Sequence, residues 1–441
     1  MRARFIHLAD VHLGYEQYGS RERFDDFARA FLNILDAAIE RQADFVVIAG
    51  DLFNKRAIDA RTLTQAYEGL QRLKRANIPA IAIEGNHDRS YYRDGMSWLQ
   101  YLSWQDMLCL LNPVVRDGMP ALSPWNTKTQ RGAYIDLMGG RLRVYGLPWF
   151  GASTAKIAEN FASVLSNARE EEDEHGIEYR LLLMHTGVEG IVPQMHGLPT
   201  RAQLEPLHGL VDYLALGHVH KPYEFEGWIY NPGSTETWSA EESAWDRGYY
   251  VVDVETDSAQ TGASNGALPL KHSTHHLKNQ RRPFYRFQFS VEGLGDPATM
   301  EEHFTRFCRQ HAGALDAREQ PPVVEISLNG LLSFEPGALD QKVLEGILHE
   351  HFQPLIGRLH NVTHDVGFVG EDEGLDGRDR STWYLLERKI FQEMLARDAR
   401  YLPTAEQWAR TLAELKELAL QGEDPENIAL RLREARAQLL S

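Results

Sequence analysis

Short apolar runs recur along the first half of the chain, and most of them end directly before a polar residue. Their length and composition are typical of buried β-strands. These runs cover residues 5–9, 45–49, 78–83, 181–184 and 213–216. Between the first three runs, apolar residues recur at helical spacing over about 21–41 and 59–76, which predicts two helices. This β-α-β-α-β order predicts parallel strands joined by right-handed crossovers.

Further strands are predicted later in the same domain. Residues 142–147 and 249–254 have the apolar content of strands, and residues 229–234 predict a strand that ends in a turn. Short strands with few long helices after residue 210 favour a second sheet packed on the first. We therefore expect an α/β fold, a layered α/β sandwich, with its core over residues 1–280. Residues 256–266, rich in Ser, Thr, Gly and Ala, predict a loop or linker.

From Pro283 the pattern changes to that of a smaller α/β domain, which we place at residues 283–370. It is predicted from strands at 284–291, 323–328 and 362–369 and helices at 297–311 and 337–351. A Gly- and Asp-rich linker at 370–379 leads to a helical region at 380–441. The apolar stripes of these C-terminal helices either pack on each other or dock a partner helix, since stripe spacing does not separate the two.

Seven polar residues that can bind metal ions occur in five short motifs near the ends of the core strands. They are Asp10 and His12 in Asp-Val-His, Asp51 in Gly-Asp-Leu-Phe-Asn, Asn86 in Gly-Asn-His-Asp, His185 in Met-His-Thr-Gly, and His218 and His220 in Gly-His-Val-His. Ligands of parallel sheets lie beyond the carboxyl ends of the strands, so we expect these residues to cluster along one edge of a sheet. A single motif of this kind is weak evidence for a metal site, but five of them in this order are strong evidence.

The donor types indicate the chemistry. Carboxylates, imidazoles and an amide suit manganese, the ion we expect, with iron, zinc or magnesium as alternatives. Two divalent ions can bridge a hydroxide and clamp the oxygens of a phosphate. Asp51 is the expected bridging carboxylate. His87 follows the ligand Asn86 and is expected to face the substrate, where it stabilises the pentavalent phosphorus or protonates the leaving oxygen.

Charge and composition narrow the function further. The net charge of −17 argues against a protein that coats nucleic acid through a broad basic surface, but it does not exclude a nuclease. Cations and aromatic rings near the ligands are candidate DNA contacts, the cations for phosphates and the rings for stacking. These candidates are Lys55, Arg56, Arg89, Arg93, Lys221, Tyr15 and Tyr223.

Other features predict a cytoplasmic protein. The chain has no apolar run of the roughly 20 residues that a membrane span needs, and Met1 leads into a strand rather than a signal peptide. Cys109 and Cys308 lie far apart in the sequence, so we expect core thiols rather than a disulfide framework or a zinc site. His7 lies inside a predicted strand and is expected to be a packed core imidazole.

The five motifs together resemble the calcineurin-like metallophosphoesterase superfamily over about residues 4–255. Within it, residues 10–15 and 50–54 are similar to the SbcD-type DNA repair exonucleases. These include the nuclease subunit of the double-strand-break repair complex and the bacterial YhaO-like proteins. Residues 184–190 are closer to the YhaO-like branch, and Asn54 stands where many relatives have His.

The resemblance implies a ligand assignment and a function. One ion would be bound by Asp10, His12 and His220 and the other by Asn86, His185 and His218, with Asp51 shared and His87 as the catalytic histidine. The chain would be a two-metal DNA endo- and exonuclease with a domain that caps the DNA-binding face. A coiled-coil ABC- or SMC-type ATPase would bind the C-terminal helices, with a homodimer in the complex. Alternatives are a phosphoesterase for a nucleotide or other small phosphoester, and a mainly structural subunit.

Overall fold

The fold is described from a computed structural model. It describes residues 1–90, 95–193, 195–256, 271–315, 320–365, 388, 391–392, 394–395, 401–420 and 425–439. Two compact units can be distinguished. The first comprises residues 1–291, 297–329 and 339–362, and the second comprises residues 292–296, 330–338 and 363–441. The domain boundaries at 280 and 370 remain predictions. The loop or linker predicted at 256–266, apart from Thr256, and the linker predicted at 370–379 lie outside the described residues.

Strands, most of them short, are the more numerous elements among the described residues. They are β1 (Arg2–Leu8), β2 (Phe45–Ile48), β3 (Ala80–Ala82), β4 (Cys109–Leu110), β5 (Val115–Arg116), β6 (Met119–Pro120), β7 (Tyr134–Leu137), β8 (Leu142–Leu147), β9 (Tyr179–Met184), β10 (Tyr213–Leu216), β11 (Tyr223–Phe225), β12 (Ile229–Asn231), β13 (Gly248–Glu255), β14 (His272–Lys278), β15 (Phe284–Ser290), β16 (Val323–Leu332) and β17 (Ile356–Asp365). The helices of the same part of the chain are α1 (Arg21–Glu40), α2 (Ala60–Arg75), α3 (Trp98–Trp104), α4 (Thr154–Glu174), α5 (Arg201–Leu204), α6 (Pro297–Gly313) and α7 (Gln341–Phe352).

Two six-stranded sheets form the core of the first unit. One has the strand order β14-β13-β1-β2-β3-β4 and the other β11-β12-β10-β9-β8-β7. The predicted β-α-β-α-β unit is present, since β1, β2 and β3 pair in parallel with α1 and α2 between them. The helix ends follow the local sequence: the side chains of Ser20 and Asp59 cap α1 and α2 by accepting backbone N–H groups of the first turn.

The layered sandwich that the sequence predicts is confirmed. Side chains alternate along β1, so that Ile6 and Leu8 pack under α1 and α2 while Phe5 packs between the sheets against Tyr213 of β10. A third apolar cluster covers the far face of the second sheet, where α4 packs through Phe161. Three buried layers therefore hold the two sheets and their helices together.

The course of the second sheet differs from the expectation. It begins at β7, well before residue 210, and the strand predicted at 249–254 does not belong to it. This strand, β13, pairs with β1 antiparallel and returns to the first sheet. Periodicity indicates that a segment is a strand, but strand pairing is decided by contacts between distant segments, so it could not be read from the local pattern.

A smaller sheet of order β15-β16-β17 follows, with α6 and α7. The predicted strand at 362–369 is part of β17, which begins earlier, at Ile356, and residues 366–369 lie outside the described residues. The second unit contains helices Ala405–Leu420 and Pro425–Leu439. The first part of the predicted helical region, residues 380–400, lies mostly outside the described residues. Among the described residues, no helix combines the length and apolar character that crossing a membrane requires.

Candidate metal centre

The predicted ligands lie close together, near the carboxyl ends of strands from both sheets. In the first sheet, Asp10 follows β1 and Asp51 follows β2, while Asn86 comes shortly after β3. In the second sheet, His185 follows β9, and His218 comes shortly after β10. The expectation of a single sheet edge was therefore incomplete, because the site is formed where the edges of two stacked sheets meet.

One group of ligand atoms is contributed by Asp10, His12 and His220, which lie within 4.8 Å of one another. The Nε2 atoms of the two histidines lie 3.0 Å apart. Nδ1 of His220 bonds the carboxylate of Glu242 at 2.8 Å, and because a carboxylate accepts, this nitrogen donates. In the neutral ring, Nε2 of His220 then carries the lone pair, on the side of the ring near His12.

A second group is contributed by Asp51, His185 and His218. The amide oxygen of Asn86 completes it, lying 3.2 Å from Nε2 of His185 and 2.9 Å from Nδ1 of His218. Asp51 also lies within the same 4.8 Å limit of His12 and His87. One carboxylate is therefore next to both groups, in the position that a bridging ligand would occupy.

His87 lies beside the two groups and is less buried than most of the other site residues. Its Nδ1 donates to the backbone carbonyl of Asn54 at 2.7 Å, and its backbone N–H donates to Oδ1 of Asp51 at 2.9 Å. The carbonyl bond leaves Nε2 as the free ring nitrogen. The imidazole is thus fixed at the rim of the site, with one nitrogen available to a substrate.

The backbone at the site is strained. Asp10, His12, Asp51 and His218 all have φ between +51° and +82°, a left-handed region that side chains other than Gly rarely occupy. The close approach of the Gly85 backbone to Asp51 also explains why this motif has a glycine at position 85. A Cβ on Gly85 would lie 2.1 Å from Oδ1 of Asp51. Such strain concentrates at functional sites, where the surrounding structure holds it in place.

Electrostatics favour cations at this site. Burial lowers the pKa of His12 well below its usual value and that of His218 to about 3, so both rings are neutral and offer lone pairs. Burial also lowers the pKa of His185, but the Asp51 carboxylate outweighs burial and raises it to about 9. A metal cation bound between His185 and Asp51 would neutralise the negative charge of the Asp51 carboxylate, as the proton on His185 does here.

These residues fit two divalent cations. Several nitrogen lone pairs, two carboxylates and an amide oxygen converge within a buried space, and mixed oxygen and nitrogen ligands are those of manganese, iron and zinc. Nδ1 of His12 is buried and finds no hydrogen-bond partner among the described residues. With no protein partner on Nδ1, the ring can carry its proton there, which leaves the lone pair on Nε2, 3.0 Å from Nε2 of His220, for a cation.

Two supporting residues escaped the sequence analysis. The buried carboxylate of Asp88 accepts the backbone N–H groups of Leu52, Phe53 and Gly85 at 2.9 to 3.3 Å, which ties the Asp51 loop to the Asn86 loop. Glu242 orients His220 and pairs with the buried Arg247 at 3.1 Å. Asp88 was visible as the last residue of Gly-Asn-His-Asp, whereas nothing in the local sequence marks Glu242.

The predicted DNA contacts are placed unevenly. Lys55, Arg56 and Arg89 are exposed in the loops that follow Asp51 and His87, and the Arg89 guanidinium lies 5.7 Å over the ring of Trp149. Tyr15 stacks on Trp238 at 5.3 Å. Lys221 and Tyr223 are half-buried, and the Tyr223 hydroxyl already accepts the backbone N–H of Val188. Arg93 lies outside the described residues.

Comparisons with known proteins relate the chain to a family of phosphoesterases. Residues 3–222 match the calcineurin-like phosphoesterase family. The chain is similar to proteins named DNA double-strand break repair protein Mre11. It is 34% identical to that of Archaeoglobus fulgidus over 249 residues, which is 55% of this chain and 52% of the relative, and 29% identical to that of Methanosarcina mazei over 298 residues, 64% and 41%. The chain thus spans about half the length of these relatives.

Proposed function

Because residues 3–222 are a calcineurin-like phosphoesterase domain, we propose that this protein is a two-metal-dependent DNA nuclease that hydrolyses phosphodiester bonds. The observation that carries the proposal is the placement of His87 beside two groups of ligands that share Asp51. Similarity to relatives named for double-strand break repair supports DNA as the substrate. We propose manganese as the resident ion, because the mixed oxygen and nitrogen donors suit it.

Different residues of the chain are proposed to act on the leaving group, on the flanking phosphates and on a base. Two divalent ions at this site would supply Lewis acidity for the phosphate oxygens and for a water nucleophile. His87 offers Nε2 to the substrate while Asn54 holds Nδ1, so the protonated ring can donate a proton to the departing 3′ or 5′ oxygen. Lys55, Arg56 and Arg89, which are exposed, are proposed to contact flanking phosphates, and the Tyr15–Trp238 stack is proposed to offer an aromatic face to a base.

We extend the proposal to a partner and a compartment. The C-terminal region, residues 380–441, is proposed to bind a coiled-coil ABC- or SMC-type ATPase, with a homodimer of this chain in the complex. Exposed Leu430 and Leu432 on helix Pro425–Leu439 support a docking role. Removal of residues 380–441 should abolish co-purification of the ATPase and spare manganese-dependent cleavage. Persistent co-purification would contradict this role. The cytoplasmic location stays a prediction.

The nuclease is tested with labelled single- and double-stranded DNA, incubated with the purified chain and manganese, with a chelator, and with His87→Ala. Cleavage that needs manganese and His87 supports the proposal. Intact DNA alongside hydrolysis of bis-p-nitrophenyl phosphate would favour a small phosphodiester as the substrate. Absence of both activities with metal bound would favour a structural subunit.

A further inference from the structure

Trp238 connects the residue that holds His87 to the metal-ligand side of the site. The indole Nε1–H donates to Oδ1 of Asn54 at 3.2 Å. The backbone carbonyl of the same Asn54 accepts Nδ1–H of His87 at 2.7 Å. The indole ring also lies close to a ligand, with its centroid 5.7 Å from that of His220. The side chain of Trp238 thus contacts both Asn54, which holds His87, and the candidate ligand His220.

The position of the Asn54 carbonyl decides where the His87 ring points. The backbone N–H of Asn54 donates to the carbonyl of Leu13 at 2.9 Å, which fixes the residue on its N-terminal side. On its C-terminal side the chain continues into exposed Lys55, outside any helix or strand. The bond from Trp238 to the Asn54 side chain is a second restraint on this residue, besides the backbone bond with Leu13.

Trp238 is itself held from several directions. Its ring stacks on Tyr15 with an interplanar angle of 23°, and its carbonyl accepts the side-chain amide of Gln17 at 2.9 Å. Its ring centroid also lies 6.1 Å from that of the candidate ligand His12. An indole restrained in this way loses little further entropy when it positions another group, which is what a supporting residue requires.

We propose that Trp238 is a positioning residue for His87, acting through Asn54. The proposal rests on the role of His87 given under Proposed function. A ring that tilts away from the reacting oxygen loses efficient proton transfer, because this transfer depends on hydrogen-bond geometry. The Trp238–Asn54 bond therefore contributes to the rate of the chemical step rather than to substrate affinity or metal affinity.

Trp238→Phe tests this relation, because it keeps an aromatic ring on Tyr15 and removes the N–H donor together with part of the indole ring. Asn54→Ala removes the acceptor. Trp228→Phe is the matched control, since Trp228 is 4% exposed and its Nε1 has no hydrogen-bond partner among the described residues. We expect Trp238→Phe and Asn54→Ala each to lower kcat for DNA cleavage about tenfold with KM and metal affinity unchanged. The double variant should lose no more than either single variant.

A second readout does not depend on activity. In zinc-loaded protein labelled with ¹⁵N-histidine, the His87 signals are identified by their loss in His87→Ala. We expect them to shift in Trp238→Phe and Asn54→Ala and to stay in place in Trp228→Phe. Unchanged His87 signals, additive losses of kcat, or an equal loss in Trp228→Phe would each overturn the proposal. Shifted signals in a chain that cleaves no phosphoester would uphold the positioning and count against the nuclease alone.

Discussion

Oδ2 of Asp51 lies 3.3 Å from Nε2 of His185, although Asp51 follows a strand of the first sheet and His185 a strand of the second. The same carboxylate lies within 4.8 Å of ligand atoms of His12 and His87. Asp51 therefore joins the two sheets and the two groups of ligands at one point. Its removal should affect both metal ions at once.

Asp51→Ala is expected to lose both ions. Each ion would lack its shared anionic ligand, and Asp10 would be the one ligand carboxylate left for two buried divalent charges. Titration calorimetry with manganese should fall from about two ions per chain to none. Asp25→Ala, which removes an exposed carboxylate of α1, is the control. Retention of two ions with near-normal affinity in Asp51→Ala would contradict a bridging role.

His87→Ala is expected to keep its metal ions and lose hydrolysis. The ring contributes a free Nε2 at the rim of the site, and general acid catalysis typically contributes at least about 100-fold. The loss should be larger for DNA than for bis-p-nitrophenyl phosphate, whose nitrophenolate departs without a proton. Both rates are measured in saturating manganese, with His175→Ala at the exposed end of α4 as the control. A loss of one ion in His87→Ala would instead identify His87 as a ligand.

Gly85→Ala should abolish metal binding without unfolding the domain. The added Cβ would lie 2.1 Å from Oδ1 and 2.5 Å from the backbone N of Asp51, so the carboxylate cannot avoid it by rotating. Gly346→Ala in α7 is the control, because its Cβ would meet nothing within 4 Å. Metal content and circular dichroism are compared for the two variants. Normal metal content in Gly85→Ala would show that the loops can separate at low cost.

The clustering of the candidate ligands could be predicted from the sequence because their signals are local. Each motif occurs near the end of an apolar run, and parallel strands place their carboxyl ends together. In β1, for example, the alternation of Phe5 and Ile6 between two apolar clusters follows from period-two spacing. The motif residue Asp10 is then fixed at the end of that strand.

The supporting contacts could not be predicted in the same way. Glu242 lies 22 residues after His220 and Trp238 lies 184 residues after Asn54 in the sequence. They meet because β13 returns to pair with β1, and that pairing depends on contacts between distant segments. A local pattern contains no information about which distant glutamate or indole reaches a given imidazole or amide.

Glu242→Ala should weaken the binding of one ion and leave the other. Without the carboxylate, Nδ1 of His220 loses its acceptor and the ring its fixed orientation, which typically costs metal affinity about 10- to 100-fold. Glu241→Ala is a closely matched control, since the neighbouring carboxylate is exposed. Calorimetry should resolve one weakened and one unchanged site. Two unchanged sites in Glu242→Ala would exclude an orienting role.

The acid sensitivity of the fold should depend on His7, which packs between the sheets as the sequence predicted. It bonds the Tyr213 hydroxyl and the Leu216 carbonyl, both at 3.0 Å. Burial lowers the pKa of His7 to about 3, whereas in the unfolded chain it is about 6.5. Below pH 6.5 the unfolded state therefore takes up a proton that the folded state refuses, and stability falls as the pH falls toward 3.

The contribution of His7 to this loss is at most about 1.4 kcal/mol per pH unit. Urea denaturation at pH 7 and pH 5, in a chelator so that metal binding does not intervene, should show a smaller decrease in the free energy of unfolding for His7→Gln than for the unaltered chain. The exposed His175→Gln should behave as the unaltered chain does. An equal decrease in all three would mean that His7 accepts its proton in the folded state, which its burial between Tyr213 and Leu216 opposes.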